Sequence, residues 1–446
     1  MKTIIVGAGF TGEQLARVLV AAGDDVRLVE RDPEKARHAG NMLDCSVVEG
    51  CGNDGATLRD VGIGSADAIV ALTEDDEMNL VVCMLAKSLN EKVKTLARVR
   101  NTAFYKGASF NVDVVFNPDE EAELAIWHAL EHGATGSVID VSRGYCITEV
   151  EVSKGDPFDG KTVLEVAKTP EWKYLIAYVD RGDDSLLPSG GTRLVCGDRL
   201  GILLKNGEGG DLARFAHLPV KEKYGHVAIF GADSVARLVA ERIPDGFCRR
   251  LSIIDWDYAR CRKAKEELRG PRILCGDMMD EELIREEKLD RADALVAASG
   301  NHDRNLIVAS YMKSRGVAHV IALTASPQFN DVAARLGIDV AVTVRGTVVD
   351  AVLSRLRGQN VLAVHSVCHQ RFEVVRCVVS GKSPFAGKPL KEFASPGDWL
   401  LLLREPGTGG EAEIPRGDTV LADGDCVTIV MRSMDKRILH GFCGKV

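Results

Sequence analysis

Lys2-Thr-Ile-Ile-Val-Gly-Ala-Gly-Phe-Thr-Gly12 decides the fold. A short apolar run reads as a strand, a G-x-G-x-x-G turn follows, and the helical pattern Thr11-Gly-Glu-Gln-Leu-Ala-Arg-Val-Leu19 begins inside that turn. Glycines at that spacing are weak evidence alone. Here the next apolar strand, Val26-Arg-Leu-Val-Glu30, ends in an acid 18 residues beyond Gly12, close to the roughly 20 expected of a dinucleotide-binding βαβ unit. Each residue type has a task. Gly7 permits the tight turn, Gly9 lets main-chain N–H groups approach a pyrophosphate, and Gly12 lets helix and strand pack closely. The helix N-terminus offers partial positive charge to phosphate. Glu30 is placed to accept hydrogen bonds from ribose hydroxyls; a carboxylate there repels a 2′-phosphate and favours NAD or NADH over NADP, with Arg31 softening the preference.

The same pattern returns further along. His226-Val-Ala-Ile-Phe-Gly-Ala232 echoes Lys2–Ala8, and Leu251-Ser-Ile-Ile-Asp255 echoes Val26–Glu30. Ala292-Asp-Ala-Leu-Val-Ala-Ala-Ser299 echoes Ala66-Asp-Ala-Ile-Val-Ala-Leu-Thr73, and Ile338-Asp-Val-Ala341 echoes Val112-Asp-Val-Val115. Gly7 and Gly231 are 224 residues apart, Asp113 and Asp339 are 226 apart; a near-constant offset over a whole domain is duplication. Val- and Ile-rich strands alternating with helical patterns imply parallel sheets with helices on both faces. After each copy comes a segment with Gly-Asp and Pro-x-Gly turns between short strands: Gly160-Lys-Thr with Gly387-Lys-Pro, Leu187-Pro-Ser-Gly with Ile414-Pro-Arg-Gly, and Gly197-Asp198 with Gly424-Asp425.

The expected fold class is therefore α/β: two Rossmann-like doubly wound lobes, each followed by a small α+β lobe. The divisions read as residues 1–118, 119–220, 221–344 and 345–446. Helical patterns over Glu120–His132 and Thr347–Arg357 would join large lobes to small ones.

The 446 residues are 46% hydrophobic and 27% charged, a globular composition. With 56 basic against 65 acidic residues, a net charge of −9 and 5% aromatics, sequence-independent nucleic-acid binding is disfavoured. No apolar run approaches the ~20 residues needed to cross a bilayer, and Met1-Lys-Thr-Ile-Ile-Val shows no signal-peptide cleavage pattern. We therefore expect a cytoplasmic protein. The 12 cysteines form no C-x-x-C pair; Cys83, Cys146, Cys196 and Cys426 lie among apolar neighbours and read as reduced core thiols, and Cys51 as a loop thiol. His365 and His369 flank Cys368 in a strand pattern, a poor geometry for a metal.

The second copy departs from the first. Gly231-Ala-Asp-Ser-Val-Ala236 sets Asp233 where main chain would meet phosphate, and Ala236 where Gly12 stands. Asp255 keeps the ribose acid. We expect a lobe kept for assembly with weak or no dinucleotide binding, which leaves open a nucleotide held in another manner. Asn79 and Asn305 begin helical patterns, where they cap, line a crevice or pack. Arg98 has no counterpart in Ile321-Ala-Leu-Thr324, which suits contact with a phosphate or an adjoining subunit. The expected nucleotide contacts are Gly7, Ala8, Gly9, Phe10, Thr11, Gly12, Glu30, Arg31, Thr73, Asn79 and Arg98. No residue has the surroundings of a catalytic acid or base, so no catalytic residue and no metal ligand is expected. The alternatives are a cytosolic NAD-dependent oxidoreductase and a thiol-based redox sensor; the latter needs an exposed cysteine of low pKa.

Over essentially its whole length the chain resembles the TrkA family, the peripheral subunits of Trk-type potassium uptake built from tandem RCK (regulator of K+ conductance) units. The resemblance is carried by Gly7–Gly12 with Glu30, Ala66–Thr73, Asp76–Asn79, Ala97-Arg98, Gly387-Lys388, Ile414-Pro415 and Gly424-Asp425. It implies a cytoplasmic, non-enzymatic regulator at the inner face of the membrane. Such a regulator reads NADH or NAD, or ATP or ADP, and gates a TrkH-like potassium-translocating subunit. It also implies a homotetramer presenting eight Rossmann lobes. The family's acid after the third strand is present as Gly276-Asp277, whereas Cys51 follows Gly50 in the first lobe.

Overall fold

The computed structural model describes residues 1–101, 110–132, 138–142, 144–170, 172–206, 208, 211–212, 215–216, 224–356, 360–368, 371–393, 398–433 and 435–444. The first lobe is a six-stranded sheet of β1 (Lys2–Val6), β2 (Asp25–Glu30), β3 (Ser46–Glu49), β4 (Ala68–Ala71), β5 (Lys94–Arg98) and β6 (Val114–Phe116) in the order 3-2-1-4-5-6. Every pair is parallel; Ile5 of β1 lies between Leu28 of β2 and Val70 of β4. Helices cover both faces, so β4 is buried at all four positions and carries no polar side chain. Asp32, Asp54 and Asp75 each start a helix by accepting main-chain N–H groups of its first turn.

The duplication is structural as well. β11 (Tyr224–Phe230), β12 (Cys248–Asp255), β13 (Arg272–Cys275), β14 (Ala294–Ala297), β15 (His319–Thr324) and β16 (Val340–Thr343) form a second parallel sheet in the corresponding order. Each large lobe leads to a four-stranded antiparallel sheet. The first comprises β7 (Val138–Ser142), β8 (Tyr145–Glu151), β9 (Leu175–Asp180) and β10 (Arg199–Lys205) in the order 7-8-10-9. The second repeats that order with β17 (Val361–Val367), β18 (Phe372–Val378), β19 (Trp399–Glu405) and β20 (Cys426–Arg432).

The Gly-Asp turns of the small lobes are structural. Asp198 is fully buried and takes Arg181 through Nε and Nη2, both at 2.7 Å, as well as the Val195 N–H. Asp425 does the same with Arg404 Nε at 2.7 Å and the Gly407 and Ala422 N–H groups. The two small sheets pack on each other, with Tyr145, Ile147 and Leu203 in one core with Phe372, Val374 and Val430. Thr428 Oγ1 donates to Val141 O at 3.2 Å across that junction.

The joining helices run Pro118–His132 and Val344–Leu356, within three residues of the expected bounds. Each packs on the other half of the chain. Ala122, Ile126, Ala129 and Leu130 belong to the core of the second large lobe, with Val227, Ile229, Val235 and Val239. Val348, Val349, Val352, Leu353 and Leu356 belong to the core of the first, with Ile5, Leu15 and Leu19. Ion pairs edge the exchange: Arg242 with Glu123, and Arg355 with Glu121 at 2.9 Å.

All 12 cysteines are free thiols. Cys83 and Cys146 are core residues, but Cys196 is exposed and Cys426 half-buried. Cys196 stands in the turn formed by Val195–Asp198, where only Asp198 faces inward. Cys51 is exposed in the loop after β3. Among the described residues no helix is long and apolar enough to cross a membrane, and no cluster of His, Cys, Asp and Glu is arranged to hold a metal. His365 lies in β17; His369 falls outside the described residues.

Candidate functional site: the crevice of the first large lobe

The first sheet changes direction of winding between β1 and β4, and an open α/β sheet leaves a crevice at that switch point beyond the strands' carboxyl ends. The Gly7–Gly12 turn lies there. Gly7 has φ +105°, which disfavours any side chain, and a Cβ on it would stand 3.2 Å from the main chain of Leu72 and Thr73 at the end of β4. A Cβ on Gly12 would fall 1.9 Å from the Gly7 carbonyl oxygen, so only glycine lets the opening helix approach this turn. A Cβ on Gly9 would meet nothing within 4 Å among the described residues. Gly9 thus lacks a side chain where space is free, and it caps the helix Phe10–Ala21 with no side-chain hydrogen bond. Of the remaining loop residues, Phe10 is 43% exposed and Ala8 is buried.

Glu30 closes the adjoining end. Its carboxylate is buried and accepts Ala8 N–H at 2.7 Å through Oε2 and Asp32 N–H at 2.9 Å through Oε1. Those two bonds fix the carboxylate against the glycine turn, and each oxygen keeps further acceptor capacity. Arg31 is exposed beside it, and Cys51 follows Gly50, whose N–H donates to Glu30 O at 2.8 Å.

Opposite, Asn79 is fully buried and its amide ties two strand ends together. Its Nδ2 donates to Thr73 O and Arg98 O, and its Oδ1 accepts Thr73 N–H at 2.9 Å and Thr73 Oγ1–H at 2.7 Å. Asn305 makes the same four bonds to Ser299 and Leu323. In both lobes this asparagine is a brace, which answers the choice between lining and packing.

Arg98, at the carboxyl end of β5, is 7% exposed, and its Nε and Nη2 have no hydrogen-bond partner among the described residues. Burial lowers its pKa from the ordinary arginine value, Arg100 adds to that, and Asp76, Glu74 and Asp119 oppose it. A buried guanidinium with orphaned donors costs folding free energy, and an anion in the crevice would satisfy it. The glycine cradle, the fixed carboxylate and the orphaned cation together fit an anionic nucleotide that carries a ribose diol.

The TrkA-N domain family matches residues 3–118 and 227–344, and the TrkA-C domain family matches residues 147–216. The chain belongs to the TrkA family. The Trk system potassium uptake protein TrkA homolog of Archaeoglobus fulgidus is 30% identical, over 94% of this chain and 95% of that protein. TrkA homolog 1 of Methanosarcina mazei is 28% identical over 96% and 97%, and TrkA of Vibrio alginolyticus 26% identical over 96% and 93%. Among solved structures, the GsuK channel bound to NAD is 18% identical, with a TM-score of 0.57 over 98% of this chain and 77% of that one. The GsuK RCK domain gives the same identity and score, over 98% and 94%. These likenesses support the tandem RCK architecture.

The second TrkA-N lobe keeps the frame with other occupants. Gly231 has φ +103°, and Asp255 accepts Ala232 and Asp257 N–H groups, both at 2.8 Å, as Glu30 does in the first lobe. Sequence reasoning missed Trp256, Arg260 and Arg304, which gather beside it. The available signal was that they replace Arg31, Lys35 and Met78 of the first copy.

Proposed function

We propose that this TrkA-family chain is a cytoplasmic nucleotide-sensing regulatory subunit that gates a TrkH-like potassium-translocating subunit at the inner face of the membrane. The lobes are taken as 1–118, 119–220, 221–344 and 345–446, and the working assembly as a homotetramer. NAD or NADH, with ATP or ADP as alternatives, binds the first crevice through Gly7–Gly12, Glu30, Arg31, Thr73 and Arg98, with Asn79 as the brace that positions the last two. The observation that carries this reading is Arg98: a buried cation, its Nε and Nη2 unpartnered among the described residues, at the carboxyl end of β5 in the same sheet whose β1 runs into the glycine turn. The relatives named as potassium uptake proteins and the NAD-bound channel support the same reading.

No chemistry on the nucleotide is required. The ligand acts by the difference in its affinity for two arrangements of the lobes. The chain supplies a route for that difference. Asp119 lies within electrostatic reach of Arg98 and also accepts a hydrogen bond from Ser234 Oγ, at the start of a second-lobe helix. A phosphate at Arg98 competes with the field of Asp119 and so biases the contact between halves.

The deciding experiment is calorimetric titration of the full chain with NADH, NAD, ATP and ADP, paired with potassium flux through vesicles holding the co-purified membrane subunit. Saturable binding and nucleotide-dependent flux are expected. Absence of binding, or flux indifferent to every nucleotide, refutes the reading.

A further inference from the structure

We propose that the second large lobe carries its own substitute for a nucleotide, built from Asp233, Arg260, Trp256 and Arg304, and so stays closed to dinucleotides. The inference rests on the nucleotide reading of the first crevice and concerns the site that reading leaves aside. Asp233 stands at the position of Gly9, and its Oδ2 accepts the Gly300 N–H at 2.6 Å, a main-chain donor at the end of β14 beside the glycine turn. A carboxylate oxygen thus occupies a place where the first lobe leaves open space.

The mimicry extends along the crevice. Arg260 reaches Asp233 at 3.4 Å, Asp255 at 3.6 Å and Asp257 at 3.8 Å. It therefore spans from the phosphate position to the acid that would otherwise hold a ribose. On the far side Arg304 lies 4.2 Å over the Trp256 ring and pairs with Asp277 at 2.8 Å. The first copy has Gly9, Lys35, Arg31, Met78 and Cys51 at these places, and Lys35 and Arg31 are exposed. Electrostatics agree with sterics. A pyrophosphate entering the second crevice would displace Asp233 and meet three carboxylates around one guanidinium, a repulsive field in a partly desolvated site. The chain then holds one nucleotide, and its two homologous lobes respond unequally.

The test is calorimetry of the full chain with NADH. Wild type should take one NADH per chain and Gly9→Trp none. Gly9→Trp/Asp233→Gly/Arg304→Met, which gives the second crevice the first lobe's residues at positions 233 and 304, should regain one. Two NADH per wild-type chain, or one retained by Gly9→Trp, overturns the proposal. A folded triple variant that binds nothing overturns it as well. Hydrogen exchange on the wild type gives a reading free of folding defects. Saturating NADH should protect the amides of residues 7–12 and leave Gly300 unchanged; protection at Gly300 refutes the internal substitute. A wild type that binds no NADH refutes the first-lobe reading instead, and gain of a site in the Asp233→Gly/Arg304→Met pair then decides this proposal alone.

Discussion

Two glycines three residues apart in one turn have opposite physical reasons, and substitution separates them. A Cβ at Gly9 meets open space, so Gly9→Val should melt close to wild type and lose NADH affinity at least ~10-fold by filling the cradle. A Cβ at Gly12 collides with the Gly7 carbonyl, so Gly12→Ala should destabilise by about 1–3 kcal/mol even without ligand. Denaturant titration and calorimetry on both variants check the contrast. Arg98 makes the reverse prediction. Arg98→Met removes a buried cation with orphaned donors, so the ligand-free protein should gain about 1–3 kcal/mol while NADH-induced stabilisation falls. The glycines were legible in sequence because each states a main-chain constraint by itself. The Asp233–Arg260 pair was not, because 27 residues separate its members and only the sheet brings them together. Asp233 was legible as an obstacle; the cation it holds was not.

At the scale of elements, strands and helices followed from the apolar pattern, and the joining helices emerged within a turn of their expected ends. Their destinations did not. A helical apolar stripe states that a face must be covered, without stating by what. The exchange is testable through Leu353, fully buried in the first lobe although it belongs to the second half. Leu353→Ala should cost about 2–5 kcal/mol, and the loss should appear as faster hydrogen exchange in β1 and β2, more than 300 residues away in the chain. Confinement of the effect to residues near 353 would refute the shared core.

For the whole molecule, stability against acid has an identifiable contributor. His226 sits in β11 with Nε2 3.0 Å from Ser252 Oγ, and burial, with Arg250 adding, lowers its pKa from 6.5 to about 4. Between those values the unfolded chain binds a proton that the folded chain refuses, so stability falls as pH drops from 6.5 toward 4. His226→Gln should flatten that part of the stability profile relative to wild type, measured by denaturant titration at fixed salt; parallel profiles would assign the loss elsewhere.

The traded helices also bear on how the polypeptide is made. Translation delivers the first six-stranded sheet early, yet Val348–Leu356, which seals one of its faces, leaves the ribosome only after three quarters of the chain. A nascent chain stalled before that point carries an unsealed apolar sheet, a ready target for holdase chaperones and for aggregation. Each half made alone would leave exposed the apolar face that the other half's helix covers, so splitting the coding sequence between them should yield two fragments that are soluble only when expressed together.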